Sequence, residues 1–115
     1  MIIGILPTVN LEDDIDGYYK FIDLYSRRIY ECGATPIGIL LNNGEIDYKT
    51  LDMCDAFVLQ GGKAVKKHIY ETIYYAIKKN KPLLGICLGS QAIAIFSAIN
   101  ERLVDGKEYN KNEVI

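Results

Sequence analysis

From Pro82 to Ile95 a short apolar run passes without a break into a helical pattern, and the junction reads Gly85-Ile86-Cys87-Leu88-Gly89. No other stretch constrains the chain so tightly. Pro82 to Ile86 predicts a buried strand, and about Leu88 to Ile99 predicts a helix. A nucleophilic side chain with a glycine two positions away on either side has the spacing of a nucleophile elbow. In that arrangement the nucleophile stands on a tight, strained strand-to-helix turn, and the glycines let strand and helix pass closely. A thiol at the start of a helix also lies where the helix dipole favours an anion. The next backbone N–H, that of Leu88, points where an oxyanion would form. Cys87 is therefore the candidate nucleophile. The alternative is a small buried hydrophobe, the commoner fate of a free cysteine. It fits less well, because Cys87 follows the apolar run at the end where open parallel sheets place their ligands.

The remaining chain supplies the strands and helices such an elbow needs. Ile2 to Leu6 reads as a first strand buried on both faces. After an acidic loop, with Asp16 as a candidate N-cap, a helix is expected from about Gly17 to Cys32. Tyr18, Phe21, Ile22, Tyr25, Ile29 and Cys32 share its stripe, and Gly33 takes the position just past its end. Pro36 to Leu41 predicts the second strand, Asn42-Asn43-Gly44 a turn, and Tyr48 to Cys54 one or two helical turns. Ala56 to Leu59 predicts the third strand, ending in Gln60-Gly61-Gly62. A helix from about Val65 to Asn80 follows, with Ile69, Ile73, Ala76 and Ile77 inward. Strand–helix alternation at this spacing implies parallel pairing with right-handed crossovers. The fold class is thus α/β: a three-layer α/β/α sandwich with a four-stranded parallel sheet in flavodoxin-like order 2-1-3-4. Residues 1–104 form one domain, and 105–115 read as a polar tail.

Composition narrows the function classes. The 115 residues carry a net charge of −2 with both signs interspersed, which argues against a nucleic-acid partner. No apolar run approaches membrane-spanning length, and the first residues lack the basic start of a secretory leader. Cys32, Cys54 and Cys87 are odd in number and lack C-x-x-C spacing, so neither a disulfide framework nor a zinc site is implied, and a reducing cytoplasm fits best. Glu12, Asp13, Asp14 and Asp16 read as a solvated loop without metal-ligand spacing. No cofactor is implied.

Two further features gather at the elbow's end of the sheet. Gly61 and Gly62 close the strand expected beside Cys87, and their backbone N–H groups are candidates for the second oxyanion donor; a plain turn before a helix is the other reading. Gln91 falls one turn after Cys87, either meeting a polar substrate or facing solvent. His68 is the only histidine and begins the helix after Gly62. It is the one candidate base for the thiol in this sequence, although geometry rather than proximity decides such a role. Lys63, Lys66 and Lys67 form a basic cluster on the same rim, read as a solvated face or as a site for a carboxylate-bearing substrate.

Ile3-Gly4-Ile5, Tyr25, Gly33-Ala34-Thr35-Pro36, Phe57-Val58-Leu59-Gln60-Gly61-Gly62 and Lys81-Pro82-Leu83-Leu84-Gly85-Ile86-Cys87-Leu88-Gly89-Ser90-Gln91 together resemble the class I glutamine amidotransferase superfamily. Within it they are most similar to the gamma-glutamyl-gamma-aminobutyrate hydrolase branch, peptidase family C26. The resemblance spans roughly residues 1 to 100 and is most specific at the elbow. It implies that Cys87 attacks a γ-glutamyl amide, forming a γ-glutamyl thioester that water resolves. Leu88 and Gly62 (or Gly61) would supply oxyanion N–H groups, and Gln91, with Gly89 on the same turn, would bind the glutamyl part of a small glutamine-like substrate. Family members are longer, and their catalytic histidine and its acidic partner lie C-terminal to the elbow helix. No histidine follows Cys87 here. The sheet is therefore expected to be incomplete on its C-terminal side, with a homodimer or a complementing chain covering the bare surface. The competing expectation is a catalytically inactive truncated relative that binds a ligand or another protein.

Overall fold

A computed structural model of the chain describes residues 1–9, 19–62 and 66–104. In chain order the elements are β1 (Ile2–Leu6), β2 (Thr8–Val9), β3 (Tyr19–Lys20), α1 (Asp23–Glu31), β4 (Thr35–Gly38), β5 (Leu41–Asn42), β6 (Glu45–Ile46), α2 (Tyr48–Asp52), β7 (Ala56–Leu59), α3 (Lys67–Lys78), β8 (Leu83–Gly85) and α4 (Leu88–Val104). The four apolar runs pair as one parallel sheet in the order β4-β1-β7-β8. Counted along the main strands, this is the 2-1-3-4 order that the alternation implied. Gly4 lies opposite Phe57, and Phe57 opposite Leu83; Leu6, Leu59 and Gly85 line up one pleat further on.

Because side chains alternate across a strand, register decides the two faces. Leu6, Phe57 and Leu59 on one face form a single core with Ile69, Ile73, Tyr75 and Ala76 of α3 and Ala92 of α4. Phe57 is 1% exposed. The opposite face carries Ile5, Val58 and Leu84 in register. There the entry to α1 covers the β4 side, where the Phe21 ring lies on Gly38. At the other end, on the outer strand β8, Leu84 is 58% exposed. No described helix is long and apolar enough to cross a membrane.

Several local expectations are corrected. Tyr19–Lys20 do not belong to a helix; they form β3, antiparallel to β2, and α1 begins only at Asp23. The reason is tertiary: the Gln60 side chain holds both the Lys20 carbonyl and the Ile22 N–H, leaving Ile22 extended at φ −87°. Phe21 and Ile22 thus precede the helix, and Cys32 is exposed; Asp16 and Tyr18 lie outside the described residues. At its C-terminus α1 ends as expected, with Gly33 at φ +88° and the Ala34 N–H closing back on the Ile29 carbonyl at 3.2 Å. The second strand is shorter than expected. Leu41–Asn42 instead pair with Glu45–Ile46 across Asn43-Gly44, both at positive φ, a turn whose twist suits a tight hairpin. On α3 the inward face comprises His68, Ile69, Thr72, Ile73, Tyr75 and Ala76, while Ile77 is 54% exposed. The tail 105–115 lies outside the described residues.

Candidate active site

β8 ends at Gly85 and α4 starts at Leu88, so Ile86 and Cys87 alone make the turn. The Ile86 N–H donates to the Leu59 carbonyl at 3.0 Å, the last rung between β8 and β7. Cys87 then reverses the chain at φ +53°, a left-handed conformation that costs a non-glycine residue about 1–2 kcal/mol. Its carbonyl accepts the Gln91 N–H at 3.1 Å, opening the hydrogen-bond ladder of α4. The thiol-bearing residue is exposed.

The flanking glycines are required by close approach. A Cβ on Gly85 would stand 2.5 Å from the carbonyl carbon of Gly89 and 2.6 Å from the Ser90 nitrogen. A Cβ on Gly89 would stand 2.5 Å from the Leu59 carbonyl oxygen. The first turn of α4 is thus pressed directly on the ends of β8 and β7, and Ala92 beneath it is fully buried. This contact holds Cys87 in a conformation that a free chain would leave.

Gly61 reaches the same place from β7: a Cβ there would lie 3.4 Å from the Cys87 Cβ and 3.5 Å from the Ile86 oxygen. Gly62 follows it, half-buried. Leu88 begins α4 one residue after the thiol, and Gln91 lies in the first turn, exposed. Cys87, Leu88, Gly89, Gln91 and Gly61-Gly62 are therefore gathered on one rim.

His68 stands in the first turn of α3 but is 3% exposed. A carbonyl only accepts, so Nε2 carries the proton and donates it to the Pro7 oxygen at 2.8 Å. The Tyr19 ring meets the imidazole edge-on at 5.9 Å, and the Thr72 hydroxyl donates to the His68 carbonyl at 2.8 Å. Burial lowers the imidazole pKa below its ordinary value, against smaller opposing pulls from the Pro7 bond and Glu71. Of the basic cluster, Lys67 pairs with Glu71 at 3.1 Å and Glu45 at 3.5 Å, and Lys63 lies outside the described residues. The acidic loop at 12–16 lies outside them too. Among the described residues, no three His, Cys, Asp or Glu side chains gather to hold a metal ion.

The sequence reading gave Gln60 no role beyond preceding two glycines. In the fold it is 3% exposed, and its amide bonds three separate backbone segments. The available signal was a polar residue ending an otherwise apolar strand.

Residues 14–113 match the family model for glutamine amidotransferase class-I. CTP synthase of Thermotoga maritima is 40% identical over 76 residues, which is 64% of this chain and 14% of the enzyme. The chain thus spans only a small part of that relative.

Proposed function

The chain belongs to the class-I glutamine amidotransferase family, and on that premise we propose that Cys87 is the nucleophile of a γ-glutamyl amide hydrolase. The observation that carries the reading is the exposed Cys87 held left-handed between two glycines that admit no side chain. In this reading the sulfur attacks the γ-amide carbon while the Leu88 N–H and one from Gly61 or Gly62 hold the oxyanion. The thiol proton passes to the leaving nitrogen, the amine departs, and a γ-glutamyl thioester remains. Water then breaks the thioester, releasing the γ-carboxylate and restoring the thiol. Gln91, exposed in the first turn of α4, borders the glutamyl group, while Gly89, buried against Leu59, lets that turn approach the sheet. Among branches, that of gamma-glutamyl-gamma-aminobutyrate hydrolase fits the motifs best, with a small γ-glutamyl amine as substrate.

His68 gives its Nε2 proton to the Pro7 carbonyl, so we place the general base outside residues 1–115. A complementing chain that adds to the β8 edge and covers Leu84 would bring it, whereas a homodimer, with the same single histidine, would only cover that edge; a monodisperse monomer at micromolar concentration in sedimentation would overturn the homodimer. The engaged His68 also favours a second reading, a binding module that keeps the elbow without turnover.

Intact-mass labelling with an electrophilic glutamine analogue, beside Cys87→Ser, separates the two. Stoichiometric labelling that vanishes in the variant supports an activated thiol with a glutamyl site. Absence of labelling, or labelling shared with Cys32 and Cys54, leaves the binding module.

A further inference from the structure

Gln60 makes three hydrogen bonds from one buried amide. Its Nε2 donates to the Leu6 carbonyl at 2.7 Å and to the Lys20 carbonyl at 3.2 Å, while Oε1 accepts the Ile22 N–H at 2.6 Å. These partners belong to the end of β1, the end of β3 and the entry to α1. The residues on either side of Gln60 touch the elbow. The Leu59 carbonyl accepts the Ile86 N–H at 3.0 Å and supports Gly89, and Gly61 lies against the Cys87 Cβ. The amide therefore ties the segment leaving β7, whose Gly61 lies against Cys87, to the ends of β1 and β3 and the entry to α1. An unsupported loop of two glycines would sample many conformations, and oxyanion donors work only when held in place beforehand.

Building on the hydrolase reading above, we infer that Gln60 is a positioning residue. It holds the Gly61-Gly62 backbone against Cys87 at the spacing an oxyanion needs, and it does not itself touch substrate.

The test compares two alkylations of Cys87 in the full chain, in a Cys32→Ser background. A chloroketone analogue of glutamine passes through an oxyanion; iodoacetamide reacts by direct displacement and does not. In Gln60→Met, which keeps the length and removes the polar atoms, chloroketone labelling falls about tenfold or more, while iodoacetamide labelling holds. Amide exchange at Gly61 and Gly62 rises relative to that at Ile73 in α3. Parallel loss of both labels with uniform exchange shows a merely structural residue and overturns the inference, as does no change in either. Ile22→Pro removes the N–H that Oε1 accepts and leaves Gln60 itself intact, exchanging the isoleucine side chain for a ring at a φ of −87°, near the range proline adopts. It keeps the test open if Gln60→Met fails to fold, and it lowers the same labelling ratio by a smaller factor; an unchanged ratio overturns the inference. If the unaltered chain takes iodoacetamide but not the chloroketone, the hydrolase reading fails, and the exchange comparison alone decides whether Gln60 holds the loop.

Discussion

At the end of the sheet where the strands begin, Cys54 is 2% exposed and its thiol donates to the Thr50 carbonyl at 3.6 Å. At the other end Cys87 is exposed and left-handed. The surroundings differ as much as the thiols. Around Cys54, Lys81 donates to the Leu51 and Asp52 carbonyls at 3.1 and 3.3 Å, closing the C-terminus of α2, and its ammonium lies 5.3 Å from the Tyr75 ring centroid. The Tyr75 hydroxyl donates to Asp52. Burial and that bond push the Tyr75 pKa up to about 12, and burial raises the Cys54 thiol as well. This end joins its polar side chains to one another, Tyr75 to Asp52 and Lys81 to Tyr75, as well as to the backbone of α2. At the Cys87 end the buried Gln60 and His68 side chains bond backbone, and a strained residue and a glycine pair stand at the rim. A fold can thus hold one cysteine as core and present another for reaction, with sequence position along the strand making the difference.

Four substitutions or conditions break or sharpen that contrast. The largest effect is expected for Gly89→Ala, where a new methyl meets the Leu59 carbonyl oxygen at 2.5 Å. Neither partner is a flexible side chain, so α4 must lift, and chemical denaturation should show a loss of about 3 kcal/mol. Lys81→Met at the closed end removes the ammonium donor from the Asp52 and Leu51 carbonyls, the latter keeping the Cys54 N–H at 3.1 Å, and should cost about 1–2 kcal/mol in the same assay, with Cys87 alkylation unchanged. If alkylation falls too, the two ends are coupled. Cys87→Gly should move the other way. Removing a side chain from a φ of +53° relieves strain, so stability should rise by about 1 kcal/mol while the thiol is lost. A loss there would mean that Cys87 is packed rather than strained.

The smallest effect lies in the pH course. Burial lowers the His68 pKa from 6.5, so the unfolded chain takes up its proton first as pH falls. Stability from this residue is full above about 6.5 and is lost as pH drops through that value towards the lower folded one. Thermal melts of His68→Gln should show a shallower fall over this interval than the unaltered chain; equal slopes would assign the fall to carboxylates.

The strands were legible because each is a short apolar run, and their order followed from alternation with helices. Gly33, the Asn43-Gly44 turn and the elbow glycines were legible because each answers a local backbone demand. The expected helix from Gly17 failed at Tyr19–Lys20 because its hydrogen bonds go to a side chain 40 residues away. Ile77 was misplaced because the inward stripe of α3 is centred on Ile69, Thr72 and Ile73, one flank over. At the candidate site, Cys87 and its glycines could be read directly, whereas Gln60 looked like part of a turn.

From sequence alone, then, the chain determined its local geometry: where strands start, where helices end, and that a thiol sits between two glycines at a strand-to-helix junction. These follow from side-chain size and backbone freedom within a few residues. Tertiary structure alone decided that Gln60 reaches Leu6 across 54 positions, and that His68 gives its proton to Pro7 across 61. Both are buried polar groups. Such a group must find a partner wherever the packed segments bring one, and no local pattern encodes that choice.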